Sequence, residues 1–115
     1  NKEFIQNILK YRHGYSLKTD GDKIAVRGLG HTFTLPRLPN EQSYPVTSPD
    51  CILPMSPAFP VMTYAIGNTP AAVAYQGSDY RTFVMGFPFE SIREETSRNV
   101  IMASILRFLT TDYTD

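Results

Sequence analysis

The chain has 115 residues, with eleven basic and eleven acidic side chains, one cysteine and no tryptophan. That admits one domain, able to bury roughly two thirds of its unfolded surface without a disulfide or a metal. Zero net charge argues against nucleic acid or an anionic membrane as partner, since such binding rests on an excess of Lys and Arg; Cys51 alone cannot close an internal bridge, and no apolar run approaches the roughly 18 residues of a membrane span.

Residues 1–10 place Phe4, Ile5, Ile8 and Leu9 at the spacing of an amphipathic helix. The segment lacks the apolar centre of a signal peptide. Neither Asn1 nor Lys2 offers a clear cap, so the polypeptide is expected to continue upstream. Residues 15–19 and 23–27 flank Asp20-Gly21-Asp22, which predicts a hairpin, because Asp-Gly supplies the positive φ of a tight turn.

Eight of the nine prolines fall between Pro36 and Pro70. Proline lacks the donor that a ladder requires, so residues 28–60 are expected to be a long loop with at most isolated bridges. The stretch is too apolar for a linker: Phe33, Leu35, Leu38, Tyr44, Val46, Ile52, Leu53, Met55 and Phe59 call for a covered position on the sheet. Residues 61–66, 71–76 and 80–87 are three apolar runs punctuated by Gly67-Asn68-Thr69-Pro70 and Gly77-Ser78-Asp79, the pattern of an antiparallel meander. Within it, Phe83-Val84-Met85 predicts a central strand covered on two sides. Ser91 and Glu94 stand at capping-box spacing before a helix carrying Ile101, Ile105, Phe108 and Leu109 on one face, with a later start near Thr96 as the alternative.

Few constellations carry chemistry. Gly28-Leu29-Gly30 opens like a dinucleotide fingerprint, but Phe33 occupies the third glycine's place and no helix pattern follows, which favours plain glycines at a loop exit. His13 and His31 lack a neighbouring His, Cys or carboxylate at ligand spacing, so no metal or other cofactor is expected. Cys51 has no glycine-framed elbow and no adjacent base, and reads as a buried structural thiol. The seven Tyr and seven Phe are mostly core, although an aromatic face for carbohydrate is compatible with the composition. Residues 1–37 hold seven basic and three acidic groups, read as ordinary solvated faces. The segment Met85-Gly86-Phe87-Pro88-Phe89-Glu90 lies between a strand and a helix, where α/β sheets place ligands; Glu90, Phe87 and Arg93 are the candidate substrate-binding residues, with no catalytic residue assigned.

The run from Tyr80 to Glu90, followed by Asn99 to Leu109, resembles the end of class I glutamine amidotransferase-like domains, which have a flavodoxin-like α/β fold and a Cys-His-Glu triad. Pro88 matches the proline of the family's His-Pro-Glu motif, Phe87 falls where the histidine belongs, and the Glu is displaced to Glu90 by Phe89. Phenylalanine cannot take a proton from a thiol, so the step that activates the nucleophile is impossible here. More narrowly, Ser48-Pro49-Asp50 with Pro54, Ala71, Ala72 and Ala74 before Tyr75, and the segment Gly86 to Glu90 resemble the amidotransferase-like module of large secreted Bacteroidota proteins labelled xanthan lyase-like. The resemblance implies an extracellular, periplasmic or cell-surface location.

Together these readings predict an α/β chain: an incomplete flavodoxin-like, amidotransferase-like sheet with an antiparallel meander, a C-terminal helix and a long proline-rich loop. Residues 1–115 would be a single domain or the C-terminal part of a larger one. The function expected is a non-catalytic structural or ligand-binding module of a larger secreted, carbohydrate-related protein, whose partner is the upstream polypeptide or a second chain. The alternatives are a component of a polysaccharide lyase or hydrolase with its catalytic residues upstream, and a protein-interaction domain.

Overall fold

The computed structural model describes residues 2–18, 23–36, 48–92 and 94–110. The chain opens with a short helical turn, α1 (Lys2–Phe4), that passes into a π turn over Ile5–Leu9 and ends at Lys10 in the left-handed region. Seven strands follow among the described residues: β1 (Tyr11–Ser16), β2 (Lys23–Gly28), β3 (His31–Pro36), β4 (Asp50–Pro54), β5 (Phe59–Tyr64), β6 (Thr69–Gln76) and β7 (Arg81–Met85). A 3-10 turn at Phe89–Ser91 leads to α2 (Glu95–Thr110). Among the described residues, no helix is long and apolar enough to cross a membrane.

The strands form a five-stranded sheet in the order β3-β2-β5-β6-β7 and a two-stranded ribbon, β1-β4. Every pairing among the described strands is antiparallel. A flavodoxin-like sheet is parallel with helices on both faces. The chain therefore shows a mixed helix and sheet architecture with an antiparallel meander and a C-terminal helix.

Three expectations change. The hairpin across Asp20-Gly21-Asp22 is replaced by a different pairing: β1 joins β4, while β2 joins β3 and β5. The turn residues themselves lie outside the described residues. The real hairpin is β2-β3, closed by Leu29 (φ 54°) and Gly30 (φ 79°). Positive φ at both central positions is what a two-residue turn needs to match the strand twist. This is the role of the Gly28-Leu29-Gly30 phrase.

Residues 28–60 are not one loop, because they contain β3 and β4. In β3, Phe33 and Leu35 point inward between Thr32 and Thr34, a period of two, and Pro36 and Pro54 sit at strand ends where no interior donor is missed. Phe33 stands opposite Val26, and Val26 opposite Tyr64, giving a buried row across three strands. Leu35 and Ile24 form the next pair. Leu38, Tyr44 and Val46 lie outside the described residues.

The strand covered on both faces is β6, where Ala71, Ala72, Val73 and Ala74 are all fully buried. Strand β7 is a sheet edge, and Phe83, Val84 and Met85 are only half-buried. The alanines explain the exchange, since small side chains let β4 pack closely against β6. Helix α2 buries Ile101 and Ile105, and Arg81 Nη1 donates to the Phe108 carbonyl at 2.6 Å. The helix starts at Glu95, which matches the later of the two expected starts. Ser91 does not cap it; its hydroxyl is buried and has no hydrogen-bond partner among the described residues. The opening turn leaves Phe4 and Ile8 52% and 41% exposed, so only part of its apolar stripe is covered.

Candidate functional site

Strand β1 carries a bulge between His13 and Tyr15, opposite Ile52 and Cys51. One extra residue on the bulged strand shifts which side chains share a face. Tyr11, His13 and Ser16 thereby stand opposite Pro54, Ile52 and Asp50, on one face of the ribbon. His13 Nε2 lies 3.2 Å from Asp50 Oδ1, and Ser16 Oγ donates to the same oxygen at 3.2 Å. The ionised carboxylate only accepts, so the His13 contact requires a proton on Nε2.

The backbone of Asp50 is fixed at both its N–H and its carbonyl. Its N–H donates to Gly86 O at 2.8 Å, and Gly86 N–H donates in turn to Ala71 O. The Tyr64 hydroxyl donates to the Asp50 carbonyl at 2.7 Å. A Cβ at Gly86 would collide with that carbonyl oxygen, so glycine is what permits the β7 exit to approach β4. Burial, with the Asp50 charge next in weight, pushes the Tyr64 hydroxyl well above its ordinary pKa. Tyr64 is therefore a neutral donor.

Between the ribbon and the β7 exit lies a cleft of about 430 Å³, lined by Tyr11, His13, Asp50 and Ile52 on one side and Met85 to Pro88 on the other, with Ile5 above. A second basin of about 470 Å³ adjoins it across Ile5 and His13, lined also by Lys2, Gln6 and Arg12. Of the residues expected to bind substrate, Phe87 lines the cleft. It is only 5% exposed and packs against the rings of Phe33 and Tyr64 at 6.0 and 6.4 Å. Glu90 is exposed on the 3-10 turn and does not line either basin. Arg93 lies outside the described residues.

His13 is not isolated, as the local spacing implied, because Asp50 arrives from 37 residues away. Bulge and strand pairing bring them together, and neither leaves a mark at short range. Cys51 is buried as expected, and burial raises its thiol pKa although side-chain hydrogen bonds from Tyr15 and Thr69 pull the other way. The Ser16 hydroxyl is engaged by the carboxylate and not by the imidazole, so the three residues lack the nucleophile-base contact of a hydrolytic triad. No group of three His, Cys, Asp or Glu residues able to hold a metal occurs among the described residues.

Fold and site together define a mixed helix and sheet module with a cleft at the seam of two antiparallel sheets, where His13 and Asp50 stand among mostly apolar lining residues. No family model matches the chain, and no curated protein or solved structure is significantly similar to it.

Proposed function

We propose that the chain is a non-catalytic structural or ligand-binding module of a larger secreted protein, with the cleft between β1-β4 and the β7 exit as its binding site. The observation that supports this reading is Phe87. At the position where the resemblance to amidotransferase-like domains calls for a catalytic histidine, a phenyl ring is built into the core. Cys51 adds support, since a thiol whose pKa is raised by burial is a poor nucleophile. On this proposal, β7 and α2 are the retained strand-to-helix unit of an amidotransferase-like ancestor, and the secreted location rests on the same resemblance. The edges β3 and β7 of the five-stranded sheet pair with no further described strand, which favours the upstream polypeptide as a partner.

The test is ammonia release from L-glutamine by the purified chain, alongside the Phe87→His and Cys51→Ala variants. Release equal to buffer for all three is the expected outcome. Turnover by the unaltered chain that Cys51→Ala abolishes would overturn the reading. In the parent protein, Glu90→Gln is expected to leave any activity unchanged.

A further inference from the structure

We propose that the cleft and its adjoining basin form one groove that binds a small hydroxylated carboxylate, such as a sugar acid. This deepens the ligand-binding reading above and rests on it.

The two halves of the groove differ in chemistry. The basin presents Lys2, Arg12 and Gln6, which donate hydrogen bonds, and no carboxylate among the described residues lines it. The cleft presents Asp50, an acceptor, at one end of the ribbon and Tyr11 at the other. His13 stands at the junction of both, its Nε2 held by Asp50 and its ring oriented by that contact. A ligand carboxylate suits the donor half, where Arg can meet it with two parallel N–H bonds. Ligand hydroxyls suit the other half, because each can donate to the carboxylate of Asp50 or to Nδ1 of His13 and accept from the Tyr11 hydroxyl.

The rigidity of the acceptor half also points to a ligand. His13 and Asp50 are both about half exposed, so their contact adds little to stability. Yet Asp50 is pinned through Gly86 and Tyr64, and the β1 bulge aims His13 and Ser16 at one of its oxygens. Holding exposed polar groups this firmly adds little to folding and lowers the ordering cost of binding.

The test is an amide-shift titration of the full chain with three probes: gluconate, glucitol, which carries an alcohol in place of the carboxylate, and hexanoate, which lacks the hydroxyls. Gluconate is expected to give saturable shifts at residues 11–16 and 50–52, with each of the other two binding about tenfold more weakly. Arg12→Ala should lower the gluconate affinity several-fold and leave glucitol unchanged, whereas Asp50→Asn should lower gluconate and glucitol and leave hexanoate unchanged. Lys2→Ala, at an exposed position, repeats the first comparison if Arg12→Ala alters the fold. Equal binding of gluconate and hexanoate, shifts centred on residues 27–32, or no shift at roughly 50 mM probe overturns the proposal. Product signals growing in during the titration would instead overturn the non-catalytic reading, whichever residues shift.

Discussion

The N–H of Asp50 donates to the carbonyl of Gly86 at 2.8 Å, and this bond ties the two-stranded ribbon to the end of the five-stranded sheet. The contact closes the back of the cleft. It depends on the absence of a side chain at position 86, because a Cβ there would run into the Asp50 carbonyl oxygen, a backbone atom that cannot swing aside. Gly86→Ala is therefore expected to destabilise the chain by about 2–3 kcal/mol through backbone displacement. Urea unfolding checks this, and a loss below about 0.5 kcal/mol would show that the ribbon is free to shift.

Cys51 and Tyr64 make alkaline stability a second readout. Both are acids whose ionised forms burial disfavours, and both are raised in the folded state from ordinary values of 9.0 and 10.0. Above about pH 9 the unfolded chain releases protons that the folded chain keeps, so the folded state binds more protons and stability falls as pH rises. The contribution is complete below about pH 9 and is lost progressively above it. Urea midpoints should be flat in this respect between about pH 7 and 8.5 and fall beyond, with Cys51→Ala reducing the slope near pH 9. A slope that Cys51→Ala leaves unaltered would mean that the thiol ionises freely in the folded chain.

Ser91 separates two accounts of how α2 begins. As the first residue of a capping box it would contribute about 1 kcal/mol, lost in Ser91→Ala. The structure instead buries its hydroxyl without a partner among the described residues, at the last residue of the 3-10 turn and four residues before Glu95. Removing an unsatisfied buried hydroxyl is neutral or mildly stabilising, so Ser91→Ala should raise or leave the thermal midpoint. Glu94 is the residue before the helix, and Ser97 Oγ donates to Glu94 Oε2 at 3.4 Å.

The parts of this fold legible in the sequence are those whose signals are local. The meander was visible because Gly67-Asn68 supplies consecutive positive φ values between two apolar runs, and α2 because Ile101 and Ile105 are one turn apart. Strands β3 and β4 were hidden by proline content, although every proline within them sits at a strand end, and the Phe33 and Leu35 alternation was there to be read. The pairing of β1 with β4 was not legible. It joins residues 34–43 apart through a bulge, and a bulge changes faces without any distinctive composition. The candidate site shares that fate: Phe87 stands out from its place after a strand, whereas His13 and Asp50 become partners only through long-range register.

The exposed pair itself gives a prediction that separates stability from binding. His13→Ala removes one partner of a contact in which both side chains are about half exposed, and the water that replaces it is nearly as good a donor. Its unfolding midpoint should match that of the unaltered chain to within about 0.5 kcal/mol. A larger loss would identify the pair as a structural clamp.

Phe87 should behave in the opposite way. Its ring touches Phe33 and Tyr64 in a core that includes Ile92 and Ile101, and it is only 5% exposed. Phe87→Ala is expected to cost about 3–5 kcal/mol, the transfer and cavity terms of a buried aromatic. Phe87→His, which writes the residue that the amidotransferase resemblance calls for, replaces much of the volume but brings ring nitrogens that need partners in an apolar surrounding. That substitution should still cost about 2–3 kcal/mol, and more at low pH, where the unfolded state gains the imidazolium charge that the core disfavours. Urea unfolding at about pH 8 and 5.5 measures both terms. If Phe87→His folds as stably as the unaltered chain at both values, the ring position is solvated and able to host a base, and the case against catalysis at the end of β7 collapses.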